Sequence, residues 1–119
     1  MTIDVGSPLP DATLLQMGPE GPSGESLKAR LAGRKVIIFG VPAAFSPTCD
    51  TAHVPSFIRV MEGLRDKGVD EVICLSVNDP HVMKAWGAST GATAAGISML
   101  ADADGAFTRA IGMDFDAPA

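Results

Sequence analysis

The sequence predicts an α/β fold built around a parallel sheet, and three observations carry that prediction. Three short apolar runs, "KVIIFGV" at 35–41, "EVICLSV" at 71–77 and "ISMLAD" at 97–102, have the length and β-branched content of buried strands. Stretches with apolar residues three and four apart lie between and after them, the spacing of an amphipathic helix. Strand and helix therefore alternate, and parallel neighbours need such crossover connections, which are right-handed as a rule.

Each element has its own justification. Residues 1–34 are rich in Gly, Pro and Ser, with "SLKARLAGRK" offering one short helical turn, so this part reads as an irregular segment lying over the core. The run at 35–41 is bounded by polar and Pro/Gly signals and reads as a strand buried on both faces. From Asp50 onward, Val54, Phe57, Ile58, Met61 and Leu64 share a face opposite Arg59, Glu62, Arg65, Asp66 and Lys67, which predicts a helix that Pro55 kinks and Gly68 ends. After the strand at 71–77, Asp79 caps a helix whose first position is Pro80. That helix carries Val82, Met83 and Trp86 inward and ends near Gly91. The strand at 97–102 leads to Asp104, read as the cap of a short last helix, "GAFTRAIG". No repeat or linker divides the chain, and 119 residues are read as one domain.

Composition narrows the function classes. The chain is 46% hydrophobic and 19% charged, which excludes whole-chain disorder. A net charge of −5, with basic residues scattered, argues against nucleic acid and anionic membranes as partners. The start, "MTIDVGSPLP", has neither a basic nor an apolar leader region, and no stretch nears the roughly 20 apolar residues that cross a bilayer. The expected location is cytoplasmic. Two cysteines, with no C-x-x-C pair and no Cys/His cluster at zinc spacing, give neither a disulfide framework nor a metal site.

The chemistry centres on "VPAAFSPTCD" at 41–50. Cysteine attacks as the thiolate, and free cysteine is only slightly ionised at neutral pH. A helix N-terminus, with its free N–H groups and partial positive charge, lowers the thiol pKa by about one to several units. Cys49 is predicted to stand at such a junction. Ser46 and Thr48 supply hydroxyls that can reach the sulfur or a substrate oxygen, and Pro42 supplies a rigid shield at the end of the first strand. The alternative for Cys49 is a small, inert core residue, as free cysteines commonly are. Cys74, mid-strand between Ile73 and Leu75, reads as structural. His53 shares a helix face with Cys49 and reads as a hydrogen-bonded structural histidine, with an effect on the local field as the alternative. His81 reads as solvated, and Trp86 and the methionines as core.

These residues resemble a known family. "GVPAAFSPTCDTAHVPSF" at 40–57 is similar to the active-site segment of the peroxiredoxins, most closely the atypical peroxiredoxin-5 and plant type II group. The likeness continues through "VGSPLPDATL", "CLSVNDPHVMKAWG" and "MLADADGAFTRAIGM". It implies a thioredoxin-like fold, truncated after the third strand and short helix, and a thiol peroxidase that reduces hydrogen peroxide and alkyl hydroperoxides. By the same resemblance Cys49 is the peroxidatic nucleophile, Ser46 faces the substrate and Pro42 shields the thiolate; Thr48, from its hydroxyl alone, is taken as a second substrate-side residue, and no cofactor or metal is expected.

Three departures from the family pattern matter. The family's arginine lies in a later strand that has no counterpart up to Ala119, and Arg109 does not match it; loss of such a donor typically costs ~10²–10³ in rate. The strands and helix that accompany it are absent too, so an apolar face and a strand edge are expected to lie open, to be covered by further chain or by another subunit, with a homodimer as the first expectation. The distal resolving cysteine of some members is also missing, which implies a one-cysteine cycle completed by an external thiol, glutathione with glutaredoxin or thioredoxin. The competing reading is a weakly catalytic or non-catalytic module that acts as a redox sensor or a partner-completed subunit.

Overall fold

The computed structural model describes residues 3–46 and 52–114. In chain order it comprises β1 (Thr13–Gly18), β2 (Gly21–Ser26), α1 (Leu27–Leu31), β3 (Val36–Gly40), α2 (Val54–Asp66), β4 (Glu71–Ser76), α3 (Pro80–Thr90), β5 (Ile97–Ala101) and α4 (Ala106–Ala110). The sheet order is β2-β1-β5-β4-β3. The strands β3, β4 and β5 are mutually parallel, as the alternation predicts, with Phe39 opposite Cys74 and Cys74 opposite Met99.

The sheet is mixed rather than wholly parallel, because the amino-terminal segment is not irregular. β1 and β2 form an antiparallel hairpin from Thr13↔Ser26 to Gly18↔Gly21, and β1 joins β5 at Leu15↔Ala101. β2, "GPSGES", has no β-branched or aromatic residue and is largely exposed. Its strand character comes from pairing with β1 at the sheet edge, a position that tolerates proline.

Helices cover the sheet in two layers. Val72, Cys74 and Met99 point to the side where Val54 and Met61 of α2 and Met83 and Trp86 of α3 pack. Ile73, Leu75 and Leu100 point to the other, against Leu14, Leu27 of α1 and Phe107 of α4. β4 is buried on both faces, as its apolar run requires. β3 is not: among the described residues it has a strand neighbour on one side only, and Val36, Ile37 and Ile38 are half-buried. Among the described residues β3 is thus an edge strand of the sheet. Met113 likewise is half-exposed rather than core.

The helix signals at α3 are realised in full. Asp79 accepts from the Val82 N–H at 2.9 Å, Pro80 opens the helix, and Gly91 ends it with φ 82°. Gly68 likewise adopts φ 85° just after α2. Pro55 lies in the first turn of α2, where its missing N–H costs little. The two described residues that lead into it, Ala52 and His53, wind as a π turn. α4 is capped mainly by the buried Asp102, which accepts from Phe107 N at 3.2 Å and Thr108 N at 2.7 Å. Asp104, the expected cap, takes only the Ala106 N–H.

Candidate active site

The loop that follows β3 is fixed by the strand beside it. Val41 N donates to Leu75 O at 3.0 Å, extending the β3–β4 pairing by one residue. Ala44 N then donates to Asn78 Oδ1 at 2.8 Å, and the same oxygen accepts from the Ser76 hydroxyl at 2.6 Å. Between these anchors the backbone turns sharply: Phe45 has φ 64°, an unusual conformation for a bulky side chain. Its ring is half-exposed and lies 6.3 Å from the ring of Trp86, itself fully buried.

Ser46 closes this turn. Its hydroxyl donates to Ala43 O at 2.9 Å and its N–H reaches the same carbonyl at 3.4 Å. A hydroxyl has one proton, so in this geometry Ser46 has its oxygen lone pairs left to offer. Pro42 is exposed and stands at the rim of an open groove of about 1130 Å³ that runs along the β3 edge past Val36, Ile38, Phe107 and Ile111.

On the far side of the site, aromatic packing seats the start of α2. Phe39 and Phe57 stack with centroids 3.9 Å apart and planes within 5°, and the His53 ring tilts against both, at 5.2 and 5.6 Å. His53 thus packs on rings at the helix start. Thr48 and Cys49 lie outside the described residues, so the structure shows the two flanks of the segment that carries them. Cys74 is fully buried in β4, in keeping with a structural role. His81 is exposed.

The sequence reading overlooked Asn78 and Ser76. "SVNDP" was legible as a strand end and a helix cap, but an Asn just before the cap also stands at the carboxyl end of a central strand, beside the site-bearing one. Among the described residues no cluster of His, Cys, Asp and Glu could hold a metal ion, and no helix is long and apolar enough to cross a membrane.

Comparison with known proteins places this arrangement. The Redoxin family matches residues 4–119. Peroxiredoxin-2B of Arabidopsis thaliana is 46% identical over 115 residues, which cover 96% of this chain and 70% of the relative. The chloroplastic Peroxiredoxin-2E-2 of Oryza sativa subsp. japonica is 46% identical over 117 residues, covering 97% of this chain and 52% of its own. The crystal structure of reduced Prx3 from Vibrio vulnificus in complex with H2O2 superposes with a TM-score of 0.94 at 44% identity, over 99% of this chain and 73% of that one. The expectation of a cytoplasmic location is overturned by these comparisons, since relatives at this level of identity include chloroplastic proteins. Net charge and an unremarkable first ten residues do not separate the two compartments. What the loop after β3, the parallel strands beside it and these similarities establish together is that the chain belongs to the redoxin family and is a peroxiredoxin, a thiol peroxidase of thioredoxin-like fold similar to the plant type II group.

Proposed function

We propose that residues 1–119 act as one peroxiredoxin domain that reduces hydrogen peroxide and alkyl hydroperoxides through Cys49 in a one-cysteine cycle. The observation that carries the reading is the clamped turn ending at Ser46, which holds an oxygen acceptor three residues before the cysteine. The Cys49 thiolate attacks one peroxide oxygen, the O–O bond breaks, and the leaving oxygen takes a proton to depart as water or an alcohol. Cys49 is left as the sulfenic acid. Ser46 accepts a hydrogen bond from the peroxide O–H, the Thr48 hydroxyl assists in holding the substrate, and Pro42 screens the sulfur from bulk water. An external thiol then condenses with the sulfenic acid, releasing water and forming a mixed disulfide. A second thiol restores the Cys49 thiol as the external pair becomes a disulfide. Glutathione with glutaredoxin, or thioredoxin, supplies these electrons. The Vibrio vulnificus relative described with H2O2 supports a peroxide as the oxidant.

The open edge of β3 and the apolar groove beside it favour a second reading, in which the domain works as a redox sensor or as a subunit completed by a partner, a homodimer being the simplest case. Trapping with dimedone after peroxide treatment tests the catalytic reading, with Cys49→Ser as the blank. The expected adduct is at Cys49, formed faster with rising peroxide. An adduct absent from Cys49 across the peroxide range contradicts it.

A further inference from the structure

We propose that Asn78 is a positioning residue for the peroxide-binding turn, acting through the backbone of Ala44 to hold Ser46 in its acceptor geometry. The inference rests on the peroxidase reading of Cys49 and Ser46. Asn78 sits between the end of β4 and the cap of α3. Its Oδ1 takes two hydrogen bonds, from the buried Ser76 hydroxyl at 2.6 Å and from Ala44 N at 2.8 Å. The first orients the amide from within the sheet; the second fixes a loop 34 residues away in sequence. Asp79 anchors the other side by capping α3.

The backbone beside this bond shows what it holds. Phe45 adopts φ 64°, a conformation that costs a bulky residue of order 1–2 kcal/mol and persists only where its neighbours impose it. Its neighbours are Ala44, tied to Asn78, and Ser46, tied to Ala43 O by N–H and hydroxyl. Releasing Ala44 removes one of the two restraints and lets Phe45 return to negative φ, which swings Ser46 Oγ away from the place where a peroxide O–H must meet it. A displacement of about 1 Å at a positioning group can cost as much as 10²-fold in rate.

The test compares Asn78→Ala, Asn78→Asp and Ser76→Ala with the parent, reading the plateau of the pH–rate profile for Cys49 sulfenic acid formation by hydrogen peroxide and, independently, the exchange rate of the Ala44 amide. Asn78→Ala should lower the plateau about tenfold or more and speed Ala44 exchange about tenfold. Asn78→Asp keeps an oxygen for both donors, so its plateau should stay within about threefold, while the added charge moves the profile's midpoint upward. A plateau within about twofold of the parent for Asn78→Ala, or one for Asn78→Asp that falls as far as Asn78→Ala, overturns the proposal. If Asn78→Ala does not fold, Ser76→Ala decides: removal of the bond that orients the amide should lower the plateau about threefold and speed Ala44 exchange, and no change in either overturns the proposal. Should the parent itself form no sulfenic acid, the peroxidase reading fails first, and unchanged Ala44 exchange in the variants would remove the clamp as well.

Discussion

The two cysteines of this chain occupy different places in the fold, and different reactivities are expected of them. Cys74 is fully buried in a central strand, opposite Phe39 and Met99, where no reagent reaches it without local unfolding. In sequence Cys49 follows a clamped turn and precedes a helix whose Phe57 stacks on Phe39 of β3. Brief iodoacetamide treatment at neutral pH should therefore label Cys49 at least about tenfold faster than Cys74, as peptide mapping by mass spectrometry would show. Equal labelling would contradict the assignment of a thiolate to Cys49. A residue-scale reading of the sequence proposes Pro42, Ser46, Thr48 and Cys49 because the chemistry expected of a nucleophile is read from neighbours along the chain. It did not reach Asn78, because the bond that Ala44 N–H donates to Asn78 Oδ1 exists only after β3 and β4 have paired.

At the scale of elements, α3 packs close to β5 through a glycine. A Cβ on Gly87 would meet the Thr93 hydroxyl and approach Met99 Cγ to 2.8 Å. Alanine in place of a helical glycine normally stabilises by up to about 1 kcal/mol; here overpacking should reverse the sign, at a cost of about 1–3 kcal/mol. Urea denaturation of Gly87→Ala is expected to show a lower midpoint, and a raised midpoint would show that the helix can retreat from the sheet. The ends of α3 were legible in the sequence because Asp79, Pro80 and Gly91 act locally, each through its own backbone preference. β2 was not legible, since "GPSGES" has no strand preference of its own and becomes a strand only against β1. The cap of α4 was displaced by two residues from Asp104 to Asp102, which the end of β5 carries into the interior.

In the molecule as a whole, one carboxylate joins four elements. Glu71, at the start of β4, accepts from Arg30 of α1 at 2.6–3.1 Å, from Arg34 at 3.1 Å and from Ser98 of β5 at 2.7 Å, while Arg30 also donates to Gln16 of β1 at 2.9 Å. Burial alone would raise the Glu71 pKa, but the Arg30 and Ser98 hydrogen bonds and the charges of Arg30 and Arg34 outweigh it and hold the carboxyl below its ordinary 4.5. Asp11 is held below 3.8, first by the Lys28 N–H. A depressed carboxyl stabilises the fold above its unfolded pKa and loses that contribution as pH falls through the folded one. Thermal stability should therefore drop from about pH 5 downward. Glu71→Gln should weaken that dependence and cost about 2–3 kcal/mol at neutral pH, between exposed and fully buried ion pairs. A pH profile identical to the parent's would contradict this. The central claim, that the whole domain serves to reduce peroxides at Cys49, is tested most directly by titrating the fully reduced chain with hydrogen peroxide and following intact mass with peptide mapping. The account predicts the gain of one oxygen at Cys49 per equivalent of peroxide, with Cys74 unchanged and with reversal on addition of a thiol. Oxygen appearing on the methionines while Cys49 stays a thiol would contradict it.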